Sequence, residues 1–192
     1  MNAPAEAPAP RPLDPIFNPR AVAVVGASRS RDTIGWSIVH NLVAGEFAGA
    51  IFPVNPNATS VHSLKCYPSL AAIPDPVDLA IVVVPKVHVE AVIDQGLGVG
   101  VRGFVVITSG FGETSAEGKE IERRLRDKVR AAGARMIGPN CMGVINADPA
   151  VRMNATFSPT PARHGSLGFV SQSGALGVAI LNVAETLGVG IS

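Results

Sequence analysis

Ala21-Val22-Ala23-Val24-Val25-Gly26-Ala27-Ser28-Arg29-Ser30-Arg31-Asp32-Thr33-Ile34-Gly35 is the stretch that decides the fold. Its first five residues are a continuous apolar run rich in valine, which reads as a strand buried on both faces. Gly26 permits the sharp turn that ends it. From Thr33 to Glu46 the apolar spacing becomes helical, with Ile34, Ile38 and Leu42 on one expected inward face and Val39 and Val43 beside it. A strand apolar on both faces that runs through a glycine turn into a helix is the first βα unit of a parallel sheet covered by helices.

The same alternation continues along the chain. Ala50–Val54 reads as a second strand, closed by Asn55-Pro56-Asn57, and Asp78–Val84 as a third, stopped by Pro85. Lys86–Gly96 reads as a helix with Val87, Ala91 and Val92 inward. Gly103–Ile107 is a fourth strand running into Thr108-Ser109-Gly110, and Arg135–Ile137 a short fifth. Between them Ser115–Ala132 reads as a helix whose apolar stripe is Ile121, Leu125, Val129 and Ala132. Its wet side carries Glu120–Arg124 and Glu122–Arg126, a favourable order for i, i+4 pairs. Its basic residues read as a solvated face rather than a phosphate site. Residues 16–148 are therefore expected to form a doubly wound, Rossmann-like α/β domain.

Residues 1–15, rich in Pro and Ala, show no period and read as a disordered or extended lead-in. Residues 149–192 read as the N-terminal part of a second, flavodoxin-like α/β domain. In it Leu167–Val170 is expected as a strand, Ala175–Leu187 as a helix and Gly190–Ser192 as a strand start. A lone βα unit does not close a core, so the natural protein is expected to be longer. The apolar surface exposed there is expected to favour self-association.

Composition narrows the function classes. The 192 residues carry 16 Lys and Arg against 15 Asp and Glu, a formal charge of +1, which argues against a protein that works by neutralising nucleic acid. No apolar run is long enough to span a membrane, and no secretory signal opens the chain, so a cytoplasmic protein is expected. Two cysteines exclude a disulfide framework or a four-cysteine zinc site. His40, His62, His88 and His164 show no metal spacing and read as structural or surface residues.

Three loops carry candidate chemistry. The first is Gly26 to Gly35. The helix that follows presents free N–H groups and the positive end of its dipole, which favours an anion. Ser28 and Ser30 add hydroxyls, and Arg29 and Arg31 add charge suited to phosphate. A dinucleotide fingerprint would need a second glycine where Ser28 stands and an acidic residue after the second strand, where the chain has Asn55, Pro56 and Asn57. A ligand with a phosphate on its ribose is better served; coenzyme A and NADP both qualify.

The second loop is Ser171-Gln172-Ser173-Gly174, either an ordinary helix N-cap or a second anion cradle. It lacks the first glycine of a nucleophile elbow, which counts against a serine hydrolase. The third is Gly138-Pro139-Asn140-Cys141-Met142-Gly143. There Asn140 offers an amide to a carboxylate, and Cys141 reads as a small packed cysteine rather than a nucleophile. Glu113, after Gly112, is placed to meet a substrate or to cap the helix near Ser115.

These segments together resemble the NDP-forming (ADP-forming) acyl-CoA synthetases, the superfamily that includes the succinyl-CoA synthetase α subunit. The stretches that carry the resemblance are Phe17–Ser28, Pro53–Asn57, Tyr67–Leu70, Val77–Ala80, Thr108–Glu113, Ile137–Gly143 and Val170–Ala175, in that order. The resemblance implies a CoA-binding domain over residues 16–148. In it Gly26, Ala27, Ser28, Arg29, Arg31 and Gly35 would hold CoA phosphates, and Asn55, Pro56 and Asn57 would line the adenosine side. Val84, Pro85, Lys86, Thr108 and Ser109 would complete the groove. Asn140, Cys141 and Gly143 would flank the acyl group, and Ser171, Gln172, Ser173 and Gly174 would cradle a phosphohistidine. That histidine is expected beyond Ser192, and ATP or ADP with magnesium would enter only through an ATP-grasp domain or subunit. The 192 residues are thus expected to bind CoA or acyl-CoA without turnover, an organic acid being the other substrate of the parent. Two alternatives are a CoA-binding regulatory module of a synthetase-like protein lysine acetyltransferase and an NAD(P)-binding oxidoreductase domain.

Overall fold

The computed structural model describes residues 12–192. Its elements, in order, are α1 (Asp14–Phe17), β1 (Ala21–Val25), α2 (Ile34–Ala44), β2 (Ala50–Val54), β3 (Ser60–Val61), β4 (Leu64–Lys65), β5 (Leu79–Val82), α3 (Lys86–Gly98) and β6 (Gly103–Val106). Then follow α4 (Ala116–Ala131), β7 (Arg135–Ile137), β8 (Gly143–Asn146), β9 (Met153–Thr156), β10 (His164–Leu167) and α5 (Gly174–Leu187). A single 3-10 turn, Leu70–Ala72, lies between β4 and β5.

Five strands form one parallel sheet in the order β2-β1-β5-β6-β7. The connection from β1 to β2 runs one way along the sheet and the path into β5 and β6 the other. The switch point therefore lies between β1 and β5, where open parallel sheets leave a crevice.

Strand alternation splits the core in two. Ala21, Ala23, Val25, Ala80, Val82, Phe104 and Val106 face α3 and α4 through Val89, Ile93, Leu125 and Val129. Val22, Val24, Leu79, Ile81 and Val105 face the other way, onto Ile38, Val39 and Leu42 of α2. Ile16 of α1 and Val144, Met153 and Ala155 of the antiparallel β8–β9 hairpin pack on that second face. Asn41 of α2 fastens the segment after β9, its amide donating to the carbonyls of Thr156 and Ser158, each at 2.8 Å. Packing therefore continues past residue 148, which sits in the turn of this hairpin.

Several expectations change. Of the lead-in, residues 1–11 lie outside the described residues, while Asp14 and Pro15 belong to α1 rather than to an extended segment. In α3 the inward residues are Val89, Ile93 and Gly96. Val92, as expected, packs half-buried against the core, whereas Val87 is 81% exposed and Ala91 is exposed. Likewise Ile34 and Val43 of α2, and Ala132 at the end of α4, are exposed. Arg124 feels Glu120 only as a nearby opposite charge; its ion pair is with Glu90 on α3 at 2.7 Å, and Lys128 joins the same carboxylate at 2.9 Å. These donors hold the Glu90 carboxyl down to about 2. Arg126 bonds Asp127, its neighbour in the chain, rather than Glu122.

The strand expected at Leu167–Val170 lies three residues earlier, at His164–Leu167. Among the described residues its ladder is limited to bridges from His164 and Leu167 to Ile191, and Val170 is 93% exposed. Leu176, Val183 and Leu187 of α5 are exposed as well, while Leu181 and Ala184 pack with Ile191.

Candidate functional site

A groove of about 1080 Å³ opens at the carboxyl ends of β1, β2, β5 and β6, at the switch point. The candidate residues Gly26, Ser28, Gly35, Asn55, Pro56, Asn57, Val84, Pro85, Thr108 and Ser109 all line it. Two helices begin there. Thr33 caps α2, its hydroxyl accepting from Trp36 N at 3.3 Å, and Pro85 precedes α3. The first-turn N–H groups of a helix have no carbonyl of their own to bond, so two positive helix ends converge on one groove.

Two glycines make this geometry. Gly26 has φ +96, and a Cβ there would meet the Val83 carbonyl oxygen at 2.7 Å. A Cβ on Gly35 would meet the Gly26 carbonyl oxygen at 2.1 Å. The first turn of α2 thus lies directly against the loop after β1. Within that loop the Ser28 hydroxyl oxygen accepts from Ser30 N at 3.1 Å. Across the groove Thr108 donates its hydroxyl to the Val84 carbonyl at 2.7 Å, tying the end of β6 to the end of β5.

Four candidates lie off the lining. Ala27 is wholly buried, and Arg29 is exposed beside the loop. Arg31 lies over the Trp36 ring, 5.9 Å from its centroid, and the Lys86 ammonium lies over Phe111 at 5.2 Å. Conversely, Ile34, Pro68, Ser69, His88, Ala91, Val92 and Gln95 line the groove and were not among the residues expected to bind the ligand. For Ile34, Ala91 and Val92 the hint was apolar residues on α2 and α3 in excess of one core stripe, and for Pro68 and Ser69 the Tyr67–Leu70 stretch.

A second cavity, about 530 Å³, lies between the β7–β8 loop and the start of α5. It gathers Asn140, Cys141, Gly143, Ser171, Gln172, Ser173 and Gly174, with Phe17, Met142 and Gly177 beside them. Ser173 is the N-cap of α5, accepting from Leu176 N at 3.3 Å, and Ser171 accepts from Ser173 N at 3.0 Å. Burial pushes the Cys141 thiol up to about 11, and its Sγ donates to the Val106 carbonyl at 3.3 Å. At neutral pH that is a packed thiol with little thiolate character.

Glu113 neither caps α4 nor faces the groove. Its carboxylate accepts from Gly110 N at 2.5 Å and Phe111 N at 3.0 Å, which holds its pKa below the usual range and folds the Ser109–Glu113 loop on itself. Ser115 caps α4 instead, accepting from Gly118 N at 3.0 Å.

Trp36 stacks on His40, and His62 lies tilted against both, with ring centroids 4.6 to 5.2 Å apart. The His62 Nε2 is buried with no hydrogen-bond partner. Burial, then His40 and Arg31, push the His62 pKa below its ordinary value of 6.5. The unfolded chain then binds the extra proton first, so stability is full above about pH 6.5 and declines as pH falls below it. Thermal melts between pH 7.5 and 5, with Trp36 fluorescence as probe, are expected to show that decline. His62→Asn, which tolerates the φ of +49 at this position, is expected to flatten it; an equal slope in the variant would assign the effect elsewhere.

A parallel sheet with a glycine loop, two converging helix N-termini and a groove at the switch point defines a Rossmann-like nucleotide-binding class of domain. The chain belongs to the CoA binding domain family, whose model matches residues 20–147. It is 43% identical over 92% of its length to the α subunit of the ADP-forming acetate–CoA ligase II of Pyrococcus furiosus, covering 38% of that protein. It is 35% identical over 93% of its length to the ADP-forming 4-hydroxybutyrate–CoA ligase of Nitrosopumilus maritimus, covering 25% of it. Among solved structures, the dinucleotide-forming acetyl-coenzyme A synthetase 1 of Ca. Korarchaeum cryptofilum, determined with phosphate and ADP, superposes with a TM-score of 0.87 at 43% identity. That match covers 94% of this chain and 38% of the synthetase. The chain thus spans about two fifths or less of the relatives it matches. Among the described residues no helix is long and apolar enough to cross a membrane.

Proposed function

We propose that the chain is the CoA-binding part of an ADP-forming acyl-CoA synthetase and holds CoA or acyl-CoA in the groove between β1 and β5. The observation that carries this reading is the joint opening of α2 and α3 into that groove, with no carboxylate on its lining. The N–H groups of Ser28 and of the first turn of α2 meet the pyrophosphate, and the close contact at Gly35 brings them within reach. Arg29 and Arg31, beside the loop, neutralise the ribose phosphate. Pro56, Asn57, Pro68 and Ser69 flank the adenosine. Ile34, Ala91 and Val92 supply the apolar wall, and Thr108 and Ser109 lead the thiol arm towards the second cavity.

In that cavity Asn140, Cys141 and Gly143 flank the acyl group, and the N-terminus of α5 at Ser171–Gly174 stabilises a transferred phosphoryl group. The histidine that carries it, the nucleotide and magnesium belong to parts of a cytoplasmic synthetase outside these residues, an ATP-grasp domain or subunit among them. The organic acid is a substrate of that whole enzyme, and the present chain binds without turnover.

A thermal-shift titration tests the reading. CoA at 100 times its dissociation constant is expected to add about 2.7 kcal/mol, or roughly 5–10 °C for a chain of this size. NAD and NADP at equal concentration are expected to add nothing. A shift with either dinucleotide and none with CoA would overturn the reading.

A further inference from the structure

Asn55 stands at the end of β2, where a dinucleotide-binding fold places the acid that holds a ribose diol. Its side chain is already committed within the protein. Nδ2 donates to the Ala27 carbonyl at 2.7 Å, and Oδ1 accepts from Asn57 N at 2.8 Å. Its backbone N–H donates to the Tyr67 carbonyl at 2.9 Å. One residue therefore joins three segments that line the groove: the loop after β1, the turn after β2 and the Tyr67–Ser69 strand exit. Ala27 lies within the loop that Gly26 and Gly35 bring against α2, so its carbonyl direction sets where the N–H groups of Ser28 and its neighbours point.

We infer that Asn55 is a positioning and specificity-determining residue: its amide latches the β1–α2 loop to the end of β2, so the position accepts no carboxylate. Aspartate has the same shape and keeps the acceptor for Asn57 N. It offers the Ala27 carbonyl no hydrogen, and sets a charged oxygen 2.7 Å from it. The latch opens while the turn stays. A loop that holds a ribose diol with an acid and a loop that holds phosphate through this latch are thus mutually exclusive at one residue. The ligand part of this inference rests on the CoA reading above; the latch itself does not.

The test compares the full chain with Asn55→Asp and Asn55→Ala, and with Leu125→Ala as a destabilised control in the buried face of α4, off the groove lining. Hydrogen exchange without ligand is read first. In Asn55→Asp the hydrogen-bonded amides within residues 26–33, those of Gly26, Ser30 and Thr33, are expected to exchange at least tenfold faster, with Asn57 N–H unchanged; in Asn55→Ala both are expected to quicken. CoA affinity is read second and is expected to fall at least tenfold in both Asn55 variants and less than twofold in Leu125→Ala. Wild-type exchange at residues 26–33 in Asn55→Asp would overturn the latch. Faster exchange there with undiminished CoA affinity would overturn its role in positioning the ligand. If the wild-type chain itself binds no CoA, the function reading fails, and the exchange data still decide the latch.

Discussion

Gly35→Ala is expected to weaken CoA binding on the order of a hundredfold, the scale by which a displacement of roughly 1 Å impairs a positioned site. The added Cβ would lie 2.1 Å from the Gly26 carbonyl oxygen and 3.0 Å from its carbon, both backbone atoms that cannot rotate away. Helix α2 has to withdraw from the loop, and its free N–H groups withdraw with it. Alanine is the better helix former by about 1 kcal/mol, which offsets part of an overpacking cost of about 1–3 kcal/mol. Binding is therefore expected to suffer far more than stability. Calorimetric titration against urea unfolding separates the two. An unchanged CoA affinity would mean that the α2 N-terminus does not meet the ligand.

Phe104→Ala is expected to have the opposite profile, a large loss of stability from a site away from the groove. Phe104 is wholly buried on β6, and its ring fills the space left by Gly96 of α3, where a Cβ would stand 2.8 Å from it. Truncation removes the ring and leaves a cavity that the sheet and α3 cannot close, a change of about 3–5 kcal/mol. Against a typical domain stability of about 5–15 kcal/mol, that is a large fraction. Urea unfolding is expected to show a midpoint lowered accordingly with little change in slope. A loss under about 1 kcal/mol would mean that α3 collapses onto the sheet and that Gly96 is not there to admit the ring.

The sheet was legible because most of its strands are apolar on both faces, with glycine or proline at or soon after their ends. Ala21–Val25, Ala50–Val54 and Arg135–Ile137 have the bounds read from the sequence, and the helices differ by a few residues at their ends. The inward faces of the helices were harder. Ile34, Ala91 and Val92 read as core residues because hydrophobicity does not distinguish a sheet from a ligand groove as the burying surface. All three line the groove, and Val92 packs against the core as well. The β8–β9 hairpin was missed because each strand is only four residues long, too short for the alternation in Met153–Thr156 to stand out.

The site was legible at the level of loops and not of side chains. Glycine turns, and strands that end before helices, place Ser28, Asn55 and Ser109 at one sheet edge whatever their side chains do. Which of those side chains stays free for a ligand depends on partners distant in sequence. Asn55 is committed to Ala27, Thr108 to Val84 and Glu113 to the amides of Gly110 and Phe111. Lys86 lies over Phe111 and Arg31 over Trp36, aromatic partners that no local pattern announces.

Amide chemical-shift mapping of the isotopically labelled chain with CoA tests the central claim most directly. The account predicts that the largest shifts fall on residues 26–35, 55–57, 84–88 and 108–109, with smaller ones at 140–143 and 171–174. Shifts confined to the second cavity, or none at saturating CoA, would contradict it.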